Sequence, residues 1–109
     1  MISIKMPASG KYIRSLRLFA SGLGLDLNFD IEKIEDLKVL ISESVNYKLG
    51  EGEIKIDFIL DDELIDVRVY GEDKSLDEKA ITMRDAILSA LADELNIEDG
   101  LIEFKLRAD

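Results

Sequence analysis

The chain has 109 residues, 24 acidic and 14 basic side chains, no cysteine and no histidine, for a net charge of −10. This excludes disulfides, thiolate metal sites and the usual general base near pH 7, so any chemistry must use carboxylates, Lys, Ser, Thr or Tyr. The acidic balance opposes attraction to phosphate backbones and anionic membranes, which argues against nucleic acid or membrane as partner.

Residues 2–6, ISIKM, alternate as a half-buried strand does, with Ile2, Ile4 and Met6 on one side and Ser3 and Lys5 on the other. Pro7, the only proline, ends it. From Ser9, a candidate N-cap, Ile13, Leu16, Phe19 or Ala20 and Leu23 recur at helical spacing, and Gly22 and Gly24 are expected to terminate the helix. A dinucleotide fingerprint needs a strand before its glycines and a helix after them, and here that order is reversed.

The stretch from Asp30 to Leu49 predicts one long amphipathic helix, capped by Asp30 or Asn28, with Ile34, Leu37, Ile41 and Val45 on the core side. Glu32, Asp36 and Glu43 fall on the far side, as a solvated surface or as the remnant of a site. After Gly50-Glu51-Gly52, EIKIDFIL and LIDVRVYG form a β-hairpin about Asp61-Asp62-Glu63, with Tyr70 on its polar side. Residues 71–76 are a polar connection, and residues 77–95 a third helix with Ile81, Ile87, Leu88, Leu91 and Leu95 on its apolar side. Asn96 to Gly100 turns the chain into a last strand, where Ile102, Phe104 and Leu106 alternate with Glu103, Lys105 and Arg107.

The order β-α-α-β-β-α-β gives an α+β, two-layer sandwich: a four-stranded, mainly antiparallel sheet with three helices on one face, as a single domain over residues 1–109. The open sheet face mixes Lys5, Lys55, Arg68, Lys105 and Arg107 with Asp57, Asp66 and Glu103, and cross-strand charge pairing is expected there. A nucleic-acid platform needs stacking aromatics, and that face offers only Tyr70. No apolar run is long enough to span a bilayer and no signal-peptide pattern opens the sequence, so a cytoplasmic location is expected.

Met6-Pro7-Ala8, Tyr12-Ile13, Arg17-Leu18, Ala20-Ser21-Gly22-Leu23-Gly24 and the run IEDLKVLISES from Ile34 to Ser44 carry a resemblance. Together they resemble bacterial anti-sigma-factor serine kinases of the switch-kinase type, clearly over residues 4–45 and weakly after residue 70. The resemblance implies a reduced histidine-kinase-like ATPase fold. It also implies magnesium-ATP beside the second helix and phosphoryl transfer to a serine of a partner protein. Glu43 matches the helix's functional Glu. The magnesium-holding Asn position falls on Tyr47, while Asn46 stands one residue early, rotated by about 100°. Gly71 stands where the family's adenine-reading Asp belongs and Asp73 where its first Gly belongs, and KSLDEKAITMRD offers no glycine-rich lid.

Losing these parts together implies a degenerate, non-catalytic relative with no cofactor, one that regulates a protein partner in transcription or stress signalling. By resemblance the partner is a sigma factor or an anti-sigma-factor antagonist, and the chain is a homodimer. Arg17 matches an arginine used in the family's partner contacts, with Arg14 about one turn before it; an intramolecular pair with the acidic second helix is the alternative. A second reading is an active ATP-dependent kinase with an aberrant magnesium-ATP site, using Glu43 as catalytic residue and Asn46 for the cofactor. A third is an unrelated ferredoxin-like binding module, which would not place two consecutive helices after its first strand.

Overall fold

The alternating stretches pair into one antiparallel sheet because each has a single apolar face to bury. The computed structural model describes residues 1–73 and 75–108. Lys74, in the expected polar connection, and Asp109 lie outside the described residues. The elements are β1 (Ile2–Pro7), α1 (Ile13–Asp26), α2 (Ile31–Asn46), β2 (Glu53–Asp61), β3 (Leu64–Tyr70), α3 (Glu78–Leu91), β4 (Glu94–Glu98) and β5 (Leu101–Arg107). A 3-10 turn, Gly10–Tyr12, leads into α1, with the Ser9 hydroxyl accepting from the Lys11 N–H at 3.3 Å. The protein is α+β: the described residues form three α-helices and a five-stranded sheet in the order β1-β2-β3-β5-β4, every neighbouring pair antiparallel.

One hydrophobic cluster joins the helices to the sheet, as two layers require. Leu37, Leu40, Ile41 and Val45 of α2 are fully buried against it. Each such side chain stabilises by about 1.5–3 kcal/mol on burial, so packing holds a helix that would be marginal alone. Asp30 caps α2, its carboxylate accepting the Lys33 N–H at 2.8 Å, and Asp77 caps α3 through the Ala80 N–H at 2.8 Å. α1 closes over the sheet through Phe19, whose ring meets Phe58 edge-on with centroids 5.3 Å apart.

Two expectations are corrected. The sheet has five strands, not four, because the third helix stops at Leu91 and residues 94–98 form β4. Ala92 is extended, with ψ 144°, and the Asp93 carboxylate accepts the Arg107 N–H at 2.8 Å, which turns the chain back along β5. Leu95 and Ile97 therefore face the core by strand alternation, and Asp99-Gly100 closes the hairpin with Gly100 at φ 79°. The Asp-Gly pair between LNIE and LIEF is itself a hairpin signal.

Nor do Gly22 and Gly24 end the first helix, which continues to Asp26. A Cβ at Gly24 would lie 3.2 Å from Ile34 Cγ1 and 3.5 Å from atoms of Leu37 and Phe29, so this glycine lets α1 and α2 approach closely; a Cβ at Gly22 meets open space.

On the open sheet face the expected cross-strand pairing is present between Arg68 of β3 and Glu103 of β5, and two further pairs each run along a single strand. Arg68 Nε lies 2.9 Å from Glu103 and its Nη2 lies 3.2 Å from Asp66, while Lys55 lies 3.6 Å from Asp57. These side chains cover Asp57 and Asp66, which are buried although they point away from the core. Burial, and then the hydrogen bond with Glu103, raise the Asp66 pKa above its ordinary 3.8.

Two outcomes follow from this packing. Gly24→Val should lower stability in urea unfolding by about 1–3 kcal/mol through overpacking, whereas Gly22→Ala should raise it by about 0.5–1 kcal/mol. The second concerns pH. A carboxyl whose folded pKa is raised contributes stability that is fully present below the unfolded value and is lost as pH rises through the folded value. Asp66→Asn should therefore gain on the wild type as pH goes from 3 to 7. A wild-type-to-variant difference constant over that range would contradict the Asp66 assignment.

Candidate functional site

The C-terminal end of α2 gathers the side chains with chemical potential. The helix ends at Asn46, the Lys48 N–H donates to the Val45 carbonyl at 2.8 Å, and the next residues leave the axis. Tyr47, the C-cap, lies under α3, with the Arg84 guanidinium 5.4 Å from its ring centroid, a distance that gives cation–π attraction. Arg84 is buried, and its Nε donates to Asp85 at 2.9 Å.

Lys48 turns the other way. Only 2% exposed, it runs its stem past Gly71 and Ile54 and pairs its ammonium with Asp73. The second oxygen of Asp73 stands 3.4 Å from the Gly100 N–H. One buried cation thus ties the end of α2 to the β3–α3 connection and to the β4–β5 turn. A cation just beyond a helix C-terminus also meets the negative end of the helix dipole, which helps hold it there.

The residues expected from the sequence are only partly brought together. Glu43 is half-buried and Asn46 exposed, on neighbouring stripes of α2 about 60° apart. Neither makes a side-chain hydrogen bond or ion pair among the described residues. Arg14 and Arg17 sit on α1. Arg14 is exposed and Arg17 half-buried with its Nε unpartnered among the described residues. Pairing of these arginines with the acidic side of α2 is not observed among the described residues. Among the described residues, no group of three or more Asp, Glu, His or Cys converges as metal ligands, and no helix is long and apolar enough to cross a membrane.

Lys48, Asp73 and Arg84 were missed by sequence reasoning. Arg84 carried a signal, since it stands three residues after Ile81 and four before Leu88, on the apolar stripe of its helix. Lys48 and Asp73 carried none, because their pairing spans 25 positions.

These features define a class: an α+β protein whose second helix is clasped at its C-terminal end by the protein's own charged side chains. No family model matches the chain. Curated relatives do. The chain is 30% identical over 83 residues to the serine-protein kinase RsbW of Listeria monocytogenes serotype 4a, covering 70% of this chain and 53% of that protein. It is 34% identical over 87 residues to RsbW of Oceanobacillus iheyensis, covering 73% and 55%, and 33% identical over 82 residues to RsbW of Bacillus cereus strain Q1, covering 70% and 51%. The chain belongs to the bacterial anti-sigma-factor serine kinase family. It spans about half the length of the curated relatives it matches.

The clasp predicts an asymmetry between its partners. Asp73→Ala leaves a buried ammonium without a counter-ion and should cost about 3–5 kcal/mol in urea unfolding. Lys48→Met keeps the stem's packing and leaves a partly exposed carboxylate that water can solvate, so its cost should be about 1 kcal/mol. Equal costs would show that Lys48 is not held by Asp73.

Proposed function

We propose that this chain is a non-catalytic, protein-binding member of its family: a single, reduced histidine-kinase-like ATPase domain acting in the cytoplasm in transcription or stress signalling. Its partner is a sigma factor or an anti-sigma-factor antagonist. The observation that carries this reading is the filled end of α2, where Tyr47 lies against Arg84 and Lys48 against Asp73. The two consecutive helices after β1 favour this fold over a ferredoxin-like module.

Magnesium-ATP does not fit this arrangement. Tyr47, a poor ligand for a hard cation, occupies the metal-holding position, and Asp73 is engaged by Lys48. The connection between β3 and α3 is residues 71–77, too short for a phosphate-covering lid. Phosphoryl transfer rests on positioning and charge stabilisation, and these residues supply neither. What this chain retains for a partner is α1, where Arg14 can offer a carboxylate a planar, multiply donating cation and Arg17 lies beside it. The outer side of α1 also leaves Leu18 67% and Leu25 64% exposed, an apolar stripe suited to homodimer formation.

The relatives' names favour the other reading, an active serine-protein kinase using Glu43 and Asn46. A melting curve titrated with magnesium-ATP separates the two. A site filled to 100 times its Kd gains about 2.7 kcal/mol, a rise of roughly 10 °C or more for a domain of this size. The non-catalytic reading expects an unchanged Tm at millimolar nucleotide, and a clear rise would sink it.

A further inference from the structure

Charge is segregated along this chain. Residues 1–25 hold Lys5, Lys11, Arg14 and Arg17 and none of the 24 acidic residues, all of which lie beyond them. Those 25 positions build β1, the 3-10 turn and most of α1. In a protein of net charge −10 these positions carry positive charge only, although β2 sets Asp57 within 2.6 Å of the Ser3 hydroxyl and Glu53 opposite Pro7.

The same positions include an edge of the sheet. Among the described residues β1 pairs with β2 alone, so its outer side presents backbone N–H and C=O groups without a strand partner there. Beside it, between β1 and α1, runs a groove of about 420 Å³ whose apolar wall is formed by Ile4, Met6, Leu16 and Phe19. Lys5 and Tyr12 flank it, and the Lys11 ammonium lies 5.7 Å from the Tyr12 ring centroid, which sets positive charge along the rim. The opposite edge strand, β4, is ELNIE, with Glu94 and Glu98 facing outward and no basic residue.

A strand laid along β1 would alternate its side chains, one set entering the groove and the other standing beside Lys5. A second copy of β1 is poorly suited, because it would bring Lys5 and its own basic neighbours against like charge. An acidic strand meets no such cost. We propose that the outer edge of β1 and the β1–α1 groove bind an extended acidic segment of a partner protein by strand addition. Apolar side chains of the segment fill the groove, and its Asp or Glu residues lie beside Lys5 and Lys11. This rests on the reading of the chain as a protein-binding module and names how one partner is held.

The test uses a fluorescent peptide of alternating valine and glutamate, matched to the six residues of β1, with a valine–lysine peptide as control. Binding is followed by anisotropy and mapped by backbone amide shifts. Shifts should fall on residues 2–7 and 12–19, the valine–lysine peptide should not bind, and affinity should drop about tenfold or more with added salt. Lys5→Glu and Ser15→Glu, both at exposed positions, should each weaken binding about tenfold, the second by placing a carboxylate in the groove. Equal binding of both peptides, shifts confined to another surface, insensitivity to both variants, or a dimer whose dilution shifts map to β1 would each overturn the proposal. Nucleotide plays no part in these measurements. Their failure leaves the non-catalytic reading standing, and an ATP-dependent rise in Tm removes that reading without touching the strand site.

Discussion

Leu37, Leu40, Ile41 and Val45 have no solvent contact, and the placement of the other elements is tied to burying them. Their stripe sets the rotation of α2 about its axis. That rotation sends Glu32 outward, leaves Glu43 half-covered, and aims Tyr47 and Lys48 into opposite junctions at the helix end. Gly24 lets α1 lie close to α2, because a Cβ there would stand only 3.2 Å from Ile34 Cγ1. A slide or turn of α2 would expose apolar surface, so its C-terminal end is held as firmly as its core face.

Electrostatics then divides the molecule into regions of different character. On the open sheet face, Arg68, itself partly exposed, stands between Glu103 and the buried Asp66. At the end of α2 a buried ammonium meets a carboxylate that water still reaches, so removing the carboxylate matters more than removing the ammonium. The β1–α1 edge has positive charge with no acidic residue in its own segment. The same kinds of side chain therefore cover a sheet face and fasten a helix end, according to how far water reaches them.

Much of the fold was legible because the alternation of β1, β2, β3 and β5 and the 3.6-residue period of α2 are local signals. The hairpin about Asp61-Asp62-Glu63 and the cap of α2, placed at Asp30 or Asn28, were read from adjacent residues, whereas the Asp77 cap of α3 was not. Two errors had a shared origin in punctuation. Gly22 and Gly24 look like a stop signal, yet a glycine on a packed helix face serves closeness, and only the neighbour at Ile34 reveals which applies. Leu95 fits both a helical and an alternating pattern, and the pairing of Ile97 with Ile102 decides between them. The candidate site was less legible. Glu43, Asn46, Arg14 and Arg17 were found by resemblance to a family pattern, whereas the Lys48–Asp73 clasp depends on chain segments that meet only after folding.

The strand order bears on how the molecule forms. β5 lies between β3 and β4, so the next strand in sequence after β3, β4, has no place in the sheet until β5 has inserted. During synthesis β1 can pair with the β2–β3 hairpin, across the two helices between them, before β5 emerges, while β4 must wait for its neighbour. β5 brings Ile102, Phe104 and Leu106 together with Val69, Val67 and Ile65, and only that late, long-range pairing completes the sheet. Until then β3 is itself an open edge, and the chain passes through an interval in which a hydrophobic strand lacks its cover.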